Sequence, residues 1–364
     1  KIEFVDLNYY IEDVKDKLYT RDYYTKTTYF RLFIPNLYPQ YDKVIYLDID
    51  IVVLCKKIEK GLASKVKYFF HMFKQMYYLS TSKVIILDGY CICASVLKKK
   101  KNTTIIQMWH ALGAFKKFGL SIIDSEEGTS SKLSKVMKMH KNYDYILTSS
   151  SNTRRYFKDA FGYNINRVIV MPLPRVDYLT DKKRKKEVIK KVIKRYPQCK
   201  NKKNIIYVPT FRKGIEDIDK INELINCIDY SKYNLIVKPH PLSNIKIKDE
   251  RVICDKYFSS IDMITMGDYV ITDYSAIVFE ASILEKPLFF YCYDYDKYYR
   301  RRNFYINYKE EMPGIITDDA KEIVNSIENN QFDLDRVERF RDKYIELNEG
   351  RCTSNLVDFI FKFM

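Results

Sequence analysis

The chain has 364 residues, 46% of them hydrophobic, and carries a formal net charge of +16 at pH 7. That length accommodates about two ordinary domains, and the apolar content excludes a disordered tail. No apolar run approaches the roughly 20 residues that cross a bilayer, and the opening stretch 1-KIEFVDLNYYIEDVKD-16 lacks a signal-peptide core.

The first residue is not Met, which leaves room for residues upstream. Short apolar strands alternate with amphipathic helices from there on. Strands are predicted at 43-KVIYL-47, 83-KVIILD-88, 103-TTIIQMW-109, 144-DYILTS-149 and 167-RVIVMP-172, with Cys91 and Cys93 in a strand-like run between the second and third. A helical pattern covers 131-SKLSKVMKMHKN-142, and His71 and His140, both on helical patterns, read as structural. After the basic helix 182-KKRKKEVIKKVIKR-195 come strands at 204-NIIYVP-209, 233-YNLIVKP-239, 251-RVICD-255, 268-DYVITD-273 and 287-PLFFYC-292. Residues 275–286 and two terminal segments, 332–346 and 353–363, read as helices. Nearly continuous apolar strands indicate parallel sheets covered on both faces, so the fold class is α/β with two doubly wound domains.

The positive charge gathers in 97-LKKKKN-102 and in the 182–195 helix. Neither run is interleaved with aromatics as a base-stacking platform would be, so an anionic membrane surface or a phosphate-rich substrate is the partner expected, and no nucleic acid. The eight cysteines are scattered without metal-knuckle spacing, which suits reduced thiols in a cytosolic protein.

Open α/β sheets bind ligands beyond the carboxyl ends of their strands. Trp109, His110 and Gly113 follow the 103–109 strand, Thr210 and Arg212 follow 204–209, and Lys238, Pro239 and His240 follow 233–237. Asp273, Ser275 and Ala276 open the helix that carries Glu280. Asp273 or Ser275 is a natural N-cap, and such a terminus attracts phosphate. Lys238 and His240 on one proline-stiffened loop suit a diphosphate, Glu280 a ribose hydroxyl. Small residues after His110 let a substrate approach the backbone. His110 itself reads either as a packed imidazole or as a general base.

Taken together, 108-MWHALGAFKKFG-119, 171-MPLPRVDYL-179, 207-YVPTFR-212, 237-VKPHP-241, 272-TDYSAIVFE-280 and 302-RNFYINYKEEMPG-314 resemble the CDP-glycerol glycerophosphotransferase family of teichoic-acid primases and polymerases, from about Lys67 onward. The resemblance implies a GT-B fold, two Rossmann-like domains facing a central cleft. It implies His110 as base on an acceptor hydroxyl, with His240 and Lys238 on the donor diphosphate. Arg175, Thr210, Ser275 and Ala276 fall on phosphate-binding positions, Glu280 on a nucleotide-binding one, and Arg302 in a late block expected at phosphate or acceptor. No cofactor or metal is required; a CDP-polyol is the donor, and the acceptor is a lipid-linked glycan at the inner face of the cell membrane.

Residues 21–53 resemble instead part of a glycosyltransferase family 8 domain, in which an Asp-x-Asp matching Asp48 and Asp50 binds a metal and a UDP-sugar. The expected layout is therefore a GT-A-like remnant at 1–54 and a truncated amino-terminal GT-B domain at 55–178. A carboxy-terminal domain follows at 179–335, with terminal helices at 336–364. Two other readings stay open: a metal-dependent UDP-sugar transferase using Asp48 and Asp50, and an inactive relic that binds membrane or polyanion.

Overall fold

The computed structural model describes residues 61–212, 218–240, 243 and 245–364. The strand expected at 43–47, Asp48, Asp50 and the 1–54 segment lie outside the described residues. Residues Phe70–Met364 form one compact unit, built on two parallel sheets.

The first sheet holds β1 (Val84–Leu87), β2 (Thr104–Gln107), β3 (Tyr145–Thr148) and β4 (Val168–Val170), hydrogen-bonded in that order. The second holds β5 (Lys203–Tyr207), β6 (Tyr233–Val237), β7 (Ile253–Cys254), β8 (Tyr269–Thr272), β9 (Leu288–Tyr291) and β10 (Ile315–Thr317) in the order β10-β9-β8-β5-β6-β7. Every pairing is parallel. Strands β6, β8 and β9 are buried along their whole length, which is why they read as unbroken apolar runs rather than alternating ones. The two-sheet α/β architecture expected from the sequence is present.

Two local expectations change. The run around Cys91 and Cys93 is the short helix Ile92–Val96, with Cys93, Ala94 and Ser95 buried; a short apolar run does not distinguish a buried strand from a buried helix. His140 lies in a turn beyond helix Ser131–Val136, at φ 58°, not on a helix. It is buried beside Phe161 and Tyr143, and desolvation pushes its pKa down to about 4. Strand β10 has only three residues and no sequence expectation preceded it.

The described cysteines are free thiols, and Cys93, Cys199, Cys292 and Cys352 among them are buried. Helix Ile277–Ile283 is buried at every position and packs against helix Leu334–Tyr344, where Phe279 stacks on Phe340 at 5.5 Å. The last helix, Cys352–Phe361, returns to the first sheet, where Leu356 joins Ile106 and Leu147 and Phe359 meets Tyr145 at 5.1 Å. Its own N-cap, Arg351, makes no side-chain cap. The cap comes from a distance: Asp177 accepts the N–H groups of Cys352 at 3.0 Å and Thr353 at 2.7 Å. Replacing a carboxylate cap with Ala costs about 1 kcal/mol. Asp177→Ala is therefore expected to lower the unfolding free energy by that much, seen as a lower urea midpoint at an unchanged slope, and an unchanged midpoint would show that the helix start needs no such acceptor.

Candidate active site

A cavity of about 950 Å³ lies between the carboxyl-terminal ends of the two sheets, with walls from both. Trp109, His110, Gly113, Arg175, Thr210, Lys238, His240, Ser275, Ala276, Glu280 and Arg302 all line it. A second cavity, about 860 Å³ beyond β9 and β10, mixes acids and bases around Tyr293–Lys297 and holds none of these side chains.

On the first wall, β2 ends at Gln107, a fully buried amide. Its Nε2 donates to the Gly89 carbonyl at 2.9 Å, and its Oε1 accepts the Trp109 N–H at 2.9 Å. Trp109 itself sits at φ 57°, a left-handed conformation that costs an L-residue roughly 1–2 kcal/mol. The turn sends the indole into a stack on Phe118 at 5.0 Å and leaves His110 at the cavity. His110 Nδ1 lies 3.1 Å from the Asp88 carbonyl. A carbonyl can only accept, so Nδ1 carries the hydrogen and Nε2 keeps its lone pair. That is the tautomer of a general base. Gly113, expected to admit substrate to the backbone, is constrained by packing: a Cβ there would lie 2.6 Å from the Phe279 ring.

On the opposite wall most charge is already paired. Thr210 donates its N–H and its hydroxyl to Asp273 Oδ1, at 2.9 and 2.5 Å. Arg212 and Asp273 do not line the cavity; they are buried beneath Thr210, Nη2 to Oδ2 at 2.8 Å, with Asp294 2.8 Å from Nε. Burial opposes the guanidinium charge, but Asp273 and Asp294 outweigh it and raise the pKa above the usual arginine range. Pro239 is buried and does not line the cavity either. Lys238 reaches the wall but pairs with the fully buried Asp255 at 2.9 Å. Desolvation, then Lys116, holds His240 below the ordinary imidazole value.

The helix after β8 starts with Ala276 as N-cap, not Asp273 or Ser275; Ser275 Oγ accepts the Ile277 N–H at 3.3 Å. Glu280, expected at a ribose, pairs with Arg175 at 2.8 Å, and burial raises its pKa while Arg175 opposes the rise. The same Arg175 nitrogen donates to the His110 carbonyl at 2.9 Å. Arg302 pairs with Glu127 at 2.8 Å and Arg301 with Glu126 at 3.0 Å. Lys116, Glu126, Glu127, Tyr298 and Arg301 also line the cavity. None was read from the sequence, although Lys116 stands only six residues past His110 in the same block. Among the described residues no group of three or more His, Cys, Asp or Glu is placed to hold a metal ion.

The family model for CDP-Glycerol:Poly(glycerophosphate) glycerophosphotransferase matches residues 22–362. The match begins well before Lys67 and takes in most of the segment that resembles a sugar-transferase fragment. A teichoic acid ribitol-phosphate primase of Bacillus spizizenii is 33% identical over 325 residues, 86% of this chain and 84% of the primase. A teichoic acid glycerol-phosphate primase of Bacillus subtilis is 33% identical over 300 residues, 80% of this chain and 76% of that one. The wall teichoic acid polymerase TagF has the same fold, with a TM-score of 0.67 at 22% identity over 94% of this chain and 86% of its own. A variant of it soaked with CDPG aligns at a TM-score of 0.67 and 23% identity, over 94% of this chain and 86% of its own.

Trp109 is the single Trp of the chain, so its emission reports the turn directly. Gln107→Leu removes the acceptor for its N–H and is expected to shift the emission maximum and quench pattern in the native state; an unchanged spectrum would mean the left-handed turn holds without the amide. Gly113→Ala drives a methyl into Phe279 and is expected to destabilise the chain by about 1–3 kcal/mol in urea unfolding.

Proposed function

Since the chain belongs to the CDP-glycerol:poly(glycerophosphate) glycerophosphotransferase family, we propose that it transfers a polyol phosphate, glycerol phosphate or ribitol phosphate, from a CDP-polyol to a hydroxyl of a teichoic-acid-type glycan. His110 Nε2 takes the proton of the acceptor hydroxyl. The oxygen attacks the β-phosphorus of the donor, the bond from that phosphorus to the bridging oxygen breaks, and CMP leaves with the electron pair. His240, across the cavity, faces the diphosphate, with Lys238 behind it. Thr210, Ser275 and the backbone at Ala276 supply hydrogen bonds to the phosphates, and preorganised donors of this kind stabilise charge as it develops.

The observation that carries this reading is the pair of imidazoles lining one cavity, His110 with its Nδ1 hydrogen committed to the Asp88 carbonyl and its Nε2 left to accept. Arg175 and Arg302, expected at phosphates, serve it by position: Arg175 fixes the His110 backbone and Glu280, and Arg302 holds Glu127 at the cavity rim.

The acceptor is lipid-linked, and the enzyme works at the inner face of the membrane. Among the described residues no helix is long and apolar enough to cross a bilayer. Helix Lys182–Arg195 buries only Val188 and Val192, which leaves its lysines to an anionic surface.

His110→Ala is expected to cut CMP release from CDP-glycerol or CDP-ribitol by at least 10²-fold, with donor affinity in titration calorimetry changed by less than about threefold. Turnover retained in the variant would remove His110 from the base role. A wild-type chain that releases CMP from neither donor, given a lipid-linked glycan acceptor, would overturn the transfer itself.

A further inference from the structure

Most of the strong cations at the cavity wall are already neutralised. Arg175 has Glu280, Lys238 has Asp255, Arg302 has Glu127 and Arg301 has Glu126. Lys116 is the exception: among the described residues no carboxylate lies within ion-pair distance of it. Its Nζ meets the Tyr298 hydroxyl at 3.4 Å and lies 5.9 Å from the centroids of the Phe115 and Tyr298 rings.

The backbone that carries it is hydrogen-bonded on both sides of the residue. Lys116 bridges Phe304 in antiparallel fashion, Lys117 N–H donates to the Asn303 carbonyl at 3.2 Å, and Tyr305 N–H donates to the Phe115 carbonyl at 2.7 Å. A two-strand clasp between the halves thus holds a lysine at the cavity with its charge uncommitted. A half-buried cation kept without a counter-ion is costly unless a ligand supplies one.

We propose that Lys116 is a donor-binding residue, its ammonium pairing with the diphosphate of the CDP-polyol between itself and His240. This rests on the donor reading above and adds a residue to it. The groups that face Lys116 fit the assignment. Tyr298 and Arg302 come from helix Tyr295–Arg302, Glu127 from the loop opposite, His240 from the end of β6, and Arg212 with Asp273 from below. Desolvation first, then Arg302, pushes the Lys116 pKa down to about 8, with Asp273 and Glu127 opposing. His240 in turn is depressed by desolvation and by Lys116. A dianion placed between Lys116 and the His240 that it depresses would raise both values, because an anion favours the protonated form of each.

The sign follows. Well below pH 8 Lys116 is charged with or without donor. Above it, the free protein has lost part of that proton, and binding the diphosphate restores it, so donor binding takes up a proton and weakens as pH rises. The experiment is titration calorimetry of the full chain with CDP-glycerol, CDP-ribitol and CMP at pH 8.5, in two buffers of different ionisation enthalpy. Wild type is expected to take up a substantial fraction of a proton with a CDP-polyol. Lys116→Arg, whose charge does not titrate here, is expected to bind within about threefold and lose that uptake. Lys116→Met is expected to bind CDP-polyol about tenfold or more weakly, also without uptake, and CMP with a smaller change. Lys116→Met that matches wild type in affinity and proton uptake overturns the assignment while leaving the donor reading intact. Wild type that binds neither CDP-polyol overturns both.

Discussion

One guanidinium joins the halves of the site. Arg175 begins the helix Arg175–Thr180 that follows β4, and a single nitrogen of it donates to the His110 carbonyl and to Glu280. Glu280 is buried in the helix that opens after Ser275, where an unpaired carboxylate would be strongly unfavourable. The contact therefore does two things. It keeps a charge tolerable inside the second half, and it fixes the backbone of His110, the proposed base, in the first. The other elements of the cavity are arranged around that link.

Four further cations follow the same rule. Arg212, Lys238, Arg301 and Arg302 all have acidic partners inside the protein, so a wall that reads as strongly positive in sequence is much closer to neutral in three dimensions. Internal pairing fixes geometry at the expense of free charge. Thr210 shows the benefit, since its hydroxyl and amide are aimed by Asp273, itself held by Arg212. A phosphate in such a site meets oriented donors and few loose cations, which favours one placement of the diphosphate over many.

This also explains how much could be read in advance. Strands β5, β6, β8 and β9 were legible because burial on both faces leaves a local, continuous apolar signature. The strand ends then pointed to Trp109, His110, Thr210, Lys238, His240 and Ser275, all of which meet at one cavity. What stayed hidden is pairing at long sequence distance. Asp255 lies 17 residues from Lys238, Glu280 lies 105 from Arg175, and Glu127 lies 175 from Arg302. No periodicity encodes such partners, so residues that look alike in sequence separate only in the fold: Arg212 is a buried strut, whereas Lys116 is an uncommitted charge. Gly113 carries a hidden constraint of the same kind, because the side chain that a Cβ there would meet is Phe279, far along the chain.

His110 shows most clearly why the first sheet matters to the proposed chemistry. Met108 N–H donates to the Leu87 carbonyl at 2.7 Å, and His110 Nδ1 reaches the next carbonyl, that of Asp88. Both acceptors belong to the end of β1, which pairs with β2 in parallel register from Val84↔Thr104 to Leu87↔Gln107. A carboxylate in place of the Asp88 carbonyl would orient the imidazole too, but would add a negative charge beside the cavity proposed for a diphosphate. A backbone carbonyl orients the ring with a dipole alone. The left-handed turn at Trp109 is the conformation that brings the ring to that carbonyl, and Gln107 and the Phe118 stack stabilise it. Strain at one residue is thus offset by a buried amide and an aromatic contact, and the result is an imidazole held in the accepting tautomer with no added charge near its substrate.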